Sequence, residues 1–318
     1  MEPGITKELI EQAHERIKPF IHRAPVMTSK YFDNISEANL FFKCENFQRI
    51  GAFKIRGAMN AVLSLPADVL SKGVATHSSG NHAQALAYAA RHVGAKAFIV
   101  MPHNSPKVKV DAVRGYGAHI TFCEPNQSAR ETALQQVIEY TGAAFIHPYN
   151  NYEVITGQAS AAKELLEDAG ALDAIVAPVG GGGLLCGTLL AAKYFSPATE
   201  VFAAEPAGAA DAALSLKTGK IEAAPFIDTI ADGLRTKLGD KTFPIISQLV
   251  KYIYTVSDEH IITAMRLVYE RMKIVIEPSA AVTLAVVLQN KDVFQYKKVG
   301  IIFSGGNVDL SLLGEWFS

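Results

Sequence analysis

Between residues 74 and 147 short apolar runs alternate with segments of helical periodicity, and this regularity leaves few folds open to the chain. Residues 74–77, 97–101, 118–122 and 143–146 read as strands. Helices are expected from near Asn81, after Ser105 with Pro106 in the first position, and from Ser128-Ala129-Arg130-Glu131, whose capping-box spacing opens a helix ending by Gly142. Such alternation predicts a parallel sheet covered by helices on both faces. The same logic continues with a helix over 152–167, a strand over 173–179 and a helix over 184–195. Strands at 200–204, 252–256 and 299–303 follow, with helices at 259–272 and 279–289. Upstream, Thr6 can cap a helix with Leu9, Ile10, Ala13 and Ile17 on one face, Pro19 marks its end, and residues 40–44 form a strand.

A chain of 318 residues, 49% of them apolar, is long enough for two domains without disulfide staples and too apolar to be disordered. No linker or low-complexity stretch separates the two, so they are expected to pack closely around a crevice. The net charge of -1 leaves no basic face for nucleic acid. Cys44, Cys123 and Cys186 lie far apart, outside any metal spacing, and read as buried free thiols. The first residues lack the basic and apolar regions of a signal peptide, and no apolar run approaches the ~18 residues of a membrane span. No membrane partner and a cytoplasmic setting are therefore expected.

Three strand-to-helix turns carry chemistry. Gly180-Gly181-Gly182-Gly183 can converge backbone N–H groups at a positive helix end, a cradle for phosphate. A tight turn alone would need only one or two glycines. No Gly-Lys-Ser/Thr follows, and the pattern is not that of a dinucleotide fold. His77-Ser78-Ser79-Gly80-Asn81-His82 suits a carboxylate, although ordinary capping by Ser79 or Asn81 would explain the segment by itself. Ser304-Gly305-Gly306-Asn307 has the same form. Finally, Lys54 stands among apolar and small residues in 50–58, where desolvation would lower its pKa and make it a nucleophile and base. Alone, it reads more readily as a surface lysine or a phosphate contact. Beside a phosphate cradle it suggests an imine-forming lysine for a phosphorylated aldehyde cofactor.

These motifs, with Cys44-Glu45-Asn46-Phe47-Gln48 and Ile276-Glu277-Pro278, cover essentially the whole chain and resemble the serine racemase and serine/threonine dehydratase family of pyridoxal-phosphate enzymes, which have the tryptophan synthase β-subunit fold. The resemblance implies an α/β chain with two open, mostly parallel twisted sheets: a small mobile lobe, 74–147, inserted in a large cofactor-binding lobe, 1–73 and 148–318. It implies that Lys54 holds the cofactor and moves the substrate Cα proton, that Phe53 packs on the pyridine ring, and that Asn81 meets the ring hydroxyl oxygen. Gly180, Gly181, Gly182 and Gly183 would bind the phosphate, and Ser304 the pyridine nitrogen. A serine there does not enforce a protonated ring, so racemisation and elimination stay open while transamination is disfavoured.

Ser79 corresponds to a second acid/base opposite Lys54. The alternative is a carboxylate contact without proton transfer, which would leave a dehydratase. Ser78, Asn81 and His82 would bind the α-carboxylate. Arg130 would approach the substrate or else be a solvated helix residue, and Tyr149 and Asn150 would help to select the side chain. Glu205, Ala209 and Asp211 match the spacing with which family members bind a divalent cation, so the resemblance implies Mg²⁺, Ca²⁺ or Mn²⁺ there, the alternative being a strand-end Glu and a helix-capping Asp. Some family members bind ATP between subunits, which no nucleotide motif here decides. The resemblance also implies a homodimer without an appended regulatory domain.

The expected activity is serine racemisation with elimination of water from L-serine. A dehydratase for L-threonine or 3-hydroxyaspartate is the nearest alternative. A two-lobed solute-binding protein is the alternative outside enzymes, and the missing signal peptide and the lysine in an apolar setting weigh against it.

Overall fold

Ala174 and Val176 bury against one layer of helices while Ile175 and Ala177, between and beside them, bury against the other. This is the period of two required of a strand covered on both faces. The structure is a computed structural model that describes residues 4–78, 80–105 and 107–318.

The first part of the chain contains α1 (Lys7–Ile17), β1 (Val26–Met27), α2 (Lys30–Ser36), β2 (Asn39–Cys44), α3 (Lys54–Leu63) and α4 (Ala67–Leu70). Then come β3 (Val74–His77), α5 (Asn81–His92), β4 (Ala97–Pro102), α6 (Lys107–Gly115), β5 (His119–Cys123), α7 (Gln127–Thr141) and β6 (Ala144–Phe145). The remainder is α8 (Tyr152–Ala169), β7 (Ala174–Pro178), α9 (Gly183–Phe195), β8 (Glu200–Pro206), α10 (Asp211–Thr218), α11 (Phe243–Leu249), β9 (Tyr252–Val256), α12 (Asp258–Met272), α13 (Pro278–Gln289), α14 (Lys291–Phe294), β10 (Lys298–Phe303) and α15 (Leu313–Trp316).

Two sheets form, a six-stranded one in the order β1-β2-β10-β7-β8-β9 and a four-stranded one in the order β5-β4-β3-β6. Every pairing is parallel except β1 with β2, so the expected class of two open, mostly parallel sheets is the one found. The antiparallel edge strand β1 was not legible, being two residues long.

Both orders contain a reversal. From β7 the chain runs outward through β8 and β9, then returns as β10 on the other side of β7. From β3 it runs through β4 and β5, then returns as β6 on the other side of β3. At each reversal the loops at the carboxyl ends of adjacent strands diverge and leave a crevice, the general position of ligands in open α/β sheets.

Local detail departs from expectation in a few places. α7 starts at Gln127 because Asn126, in extended backbone, accepts the Ala129 N–H at 2.8 Å and takes the cap from Ser128. Pro106, expected to open α6, lies outside the described residues. Thr6 caps α1 as expected, accepting from the Leu9 N–H at 3.3 Å. α3 and α8 lie backbone to backbone: a Cβ on Gly157 would stand 2.6 Å from the Arg56 carbonyl oxygen and 2.8 Å from the Gly57 Cα. Overpacking of that kind costs about 1–3 kcal/mol, so two glycines are what lets these helices touch. All three cysteines are free and buried. Among the described residues no helix is long and apolar enough to cross a membrane.

Candidate active site

The strand ends at the two reversals face one cavity of about 1100 Å³. Ser304 follows β10, Gly180 to Gly183 follow β7, His77 ends β3 with Ser78 after it, and His147 and Pro148 follow β6; all line it, together with Phe53 and Lys54.

Lys54 is the first residue of α3. Its Nζ lies 5.1 Å from the centroid of the Phe53 ring and donates to the Pro148 carbonyl oxygen at 3.0 Å. Burial lowers its pKa to about 8, against the opposing charge of Glu277. A buried amine is harder to protonate than a solvated one, so about a tenth of it is the free base at pH 7, hundreds of times more than for a lysine at its ordinary value. The Phe53 N–H donates to the carbonyl oxygen of Ser304 at 3.0 Å, which ties the start of α3 to the end of β10.

The pH dependence of carbonyl capture follows. Uptake of pyridoxal phosphate by the apo-protein, read as the growth of its visible band, should rise about tenfold per pH unit below pH 7 and level off above about 8. A rate still climbing to pH 10 would mean an ordinary solvated lysine.

The glycine strip has no room for side chains. A Cβ on Gly180 would stand 2.9 Å from the Leu234 Cα, one on Gly183 2.9 Å from the Tyr149 Cβ, and one on Gly181 would enter the Tyr149 ring. Gly182 has φ +90°, the left-handed region that glycine adopts without strain. α9 begins at Gly183 with no capping side chain, so its first N–H groups meet the cavity at the positive end of the helix. The strip can therefore hold an anion.

On the four-stranded side, Asn81 opens α5 and is committed at both ends of its amide. Its Nδ2 donates to the two Glu277 oxygens at 2.9 and 3.1 Å, and its Oδ1 accepts from Asn307 at 2.8 Å. Glu277, buried at the start of α13, has its pKa raised to about 7 by burial and by Asp232, against the Asn81 hydrogen bond and Lys109. Lys109 of α6 in turn pairs with Asp232 across the cavity.

His82 pairs its Nε2 with the Ile146 carbonyl oxygen at 3.0 Å, and burial pushes its pKa down to about 3. A carbonyl only accepts, so Nε2 carries the proton and Nδ1, which has no partner among the described residues, offers a lone pair. The ring therefore has no proton for a carboxylate; the backbone N–H of His82, in the first turn of α5, does. Ser78 lines the cavity, whereas Ser79 lies outside the described residues. Arg130, in the first turn of α7, also lines it, with its Nε buried and unpartnered among the described residues.

Some lining residues take parts that the sequence did not assign to them: Glu277 as a carboxylate partner of Asn81, His77 and His147, whose rings meet edge to face at 6.3 Å, and Pro148 through its carbonyl. Burial holds His147 down to about 4, with His77 and Lys54 adding to it. A strand-end rule applied to 74–77 and 143–146 would have pointed to both histidines.

Away from the cavity floor, Glu205 at the end of β8 accepts from the Ala212 and Ala213 N–H groups at 2.7 and 2.9 Å and so caps α10. Burial raises its pKa to about 8 and that of Asp211 to about 7, and the Asp211 Oδ2 has no partner among the described residues. Among these residues no group of three or more His, Cys, Asp or Glu side chains converges. What is present, two carboxylates beside the buried Ala209 turn, fits a hard cation completed by a carbonyl and waters.

A poised lysine, an anion cradle and a second set of helix-end donors around one crevice make up a site for a phosphorylated carbonyl cofactor and an amino acid. A family model for pyridoxal-phosphate dependent enzymes matches residues 17–305, and the chain belongs to that family. Among its relatives, the beta-hydroxyaspartate dehydratase of Paracoccus denitrificans is 51% identical over 308 residues, covering 97% of this chain and 98% of the relative. The serine racemase of Dictyostelium discoideum is 50% identical over 323 residues, covering 99% of each. The solved structure of maize serine racemase superposes with a TM-score of 0.94 at 46% identity, covering 98% of this chain and 96% of that one.

Proposed function

We propose that this chain is a pyridoxal-phosphate-dependent serine racemase that also eliminates water from L-serine to give pyruvate and ammonia. The observation that carries the proposal is the Lys54 amine, with a pKa lowered to about 8, set between the glycine cradle and the N-terminus of α5. The tight packing of Gly180, Gly181 and Gly183 against Leu234 and Tyr149 fits a bound phosphate better than a solvated turn. When bound there, pyridoxal phosphate supplies the electron sink that makes a Cα–H bond acidic.

The residues of the chain divide the remaining work. Lys54 holds the cofactor and, once free, takes the Cα proton. Ser304 and Phe53 hold the ring, and Asn81, oriented by Glu277 and Asn307, meets its hydroxyl oxygen. Ser78 and the N–H groups opening α5 bind the α-carboxylate. Ser79, the second acid/base that the family resemblance implies, delivers a proton to the side that Lys54 does not serve and inverts the centre. Where the β-hydroxyl leaves first as water, hydrolysis of the released enamine gives pyruvate and ammonia. Glu205, Asp211 and the Ala209 carbonyl hold Mg²⁺, or Ca²⁺ or Mn²⁺ in its place, as a structural ion, and the working unit is a cytoplasmic homodimer. The four-stranded part, 74–147, is the smaller lobe that moves against 1–73 and 148–318.

One observation favours a second reading, a dehydratase for 3-hydroxyaspartate or L-threonine. The Nε of Arg130, buried and without a partner among the described residues, offers a second carboxylate a cation, and a relative at 51% identity is a beta-hydroxyaspartate dehydratase. Incubation with L-serine, D-serine, L-threonine and 3-hydroxyaspartate separates the two, with ketoacid release and chirality as readouts. D-serine from L-serine is expected; pyruvate with no D-serine would remove Ser79 as proton donor. In the same samples Mg²⁺ should raise the Tm of the wild type and not of Asp211→Asn. Equal shifts in both would remove the metal assignment.

A further inference from the structure

Behind Lys54, away from the cavity, four charged side chains and a histidine meet almost without water: Arg56, Glu45 and Lys43 at 0% exposure, Glu164 at 1% and His14 at 5%. Arg56 spends all five of its N–H groups. Nε and Nη2 fork onto Glu45 at 2.7 and 2.8 Å, Nη1 and Nη2 reach Glu164 at 3.0 and 2.7 Å, and Nη1 also donates to Ser160 at 3.1 Å. Glu164 further receives Lys43 at 2.7 Å and pairs with His14 at 3.0 Å. Two cations face two carboxylates, and at the rim Asp168 lies 4.0 Å from Lys43 and Lys163 3.3 Å from the His14 ring.

Such a network is a poor source of stability, because an apolar cluster of equal volume holds a fold as well or better. What it does supply is direction, since a two-sided guanidinium fork fixes rotation as well as distance. The start of α3 is otherwise held only lightly. Its N-cap residue, Phe53, makes no side-chain cap and is tied through its backbone N–H alone, and among the described residues the Lys54 amine has one hydrogen bond, to a carbonyl. Arg56 stands two residues beyond Lys54 on the same first turn. Glu45 immediately follows β2, which pairs with β10 up to Phe303 beside Cys44, and the next residue, Ser304, holds the Phe53 N–H. Glu164 comes from α8, the helix that α3 touches through glycine.

We infer that Arg56 is a positioning residue for the reaction: through the Glu45 and Glu164 carboxylates it locks the first turn of α3 and so holds the Lys54 amine at the cavity wall. This rests on Lys54 being the lysine that carries the cofactor.

The test compares wild type with Arg56→Lys, which keeps the charge and loses the fork, and Glu45→Gln, which keeps the shape and loses the charge. Each apo-protein is titrated with pyridoxal phosphate across pH, reduced with borohydride and analysed for the mass added at Lys54, while its Tm is measured separately. In folded variants the cofactor Kd should rise about tenfold or more. The pH midpoint of trapping should move up by about one unit as the amine becomes better solvated. A lowered Tm with unchanged Kd and midpoint would show a purely structural cluster and overturn the inference. If neither variant folds, Ser160→Ala decides, since it removes one hydrogen bond and no charge: a raised midpoint supports the lock and an unchanged one overturns it. No trapping at Lys54 in the wild type would instead bring down the assignment of Lys54, and the inference with it.

Discussion

Lys54→Ala is expected to lower turnover of serine by about a thousandfold or more while leaving a folded protein, because the proposed function makes the amine both the covalent anchor and the base. The fold loses little. Among the described residues the amine makes a single hydrogen bond, to Pro148, a contact worth about 0.5–1.5 kcal/mol. It also carries a pH-dependent penalty that the variant removes. With a native pKa of about 8 against an ordinary 10.5, the unfolded chain holds a proton between those values that the native chain has released. Wild-type stability from this group therefore rises with pH from about 8 to about 10.5, and is lowest below 8. Alanine abolishes that slope, so the Tm of the variant relative to wild type should be most favourable at neutral pH and decline above 8. Kinetics, the visible band and two melting curves check the result. Retained turnover would remove Lys54 from the mechanism.

Gly181→Ala should cost the chain its preference for a phosphorylated ligand. The new methyl group enters the Tyr149 ring, so either the ring or the strip must shift, at about 1–3 kcal/mol of native stability. A shifted strip no longer presents its N–H groups together, and a loss of about 1.4 kcal/mol there is tenfold in Kd. The control is pyridoxal without its phosphate. Wild type should bind pyridoxal phosphate much more tightly than pyridoxal, and in the variant the gap should close by about tenfold to a hundredfold. If both ligands weaken equally, the strip is a packing element rather than an anion site.

The class of fold was readable because strands buried on both faces are continuous apolar runs, and because Gly, Ser and Asn mark where each ends. For the same reason Lys54, the glycine strip and Ser304 could be picked out: each follows or precedes a strong local signal. Pairings that arise only in three dimensions were not readable. Nothing local tells Asn81 that Glu277 will stand beside it, or that the ring of His82 will turn away to the Ile146 carbonyl. The edge strand β1 escaped because two residues carry no periodicity. The polar capture of α10 by Glu205 escaped because a strand-end carboxylate has the same spacing whether it serves a helix or a cation.

The place of β10 bears on how the protein is made. It is the last strand in the chain, yet it lies inside the larger sheet, between β2 and β7. On the ribosome those two strands have no bridge between them until Lys298–Phe303 emerges, and Ser304 comes directly after. Everything from β2 through Phe303 must thus be synthesised before the sheet can close. Until then two hydrogen-bonding edges wait open, a state in which aggregation competes with folding. The contact that ties the start of α3 to the sheet, the Phe53 N–H on the Ser304 carbonyl oxygen, arrives with the same closure.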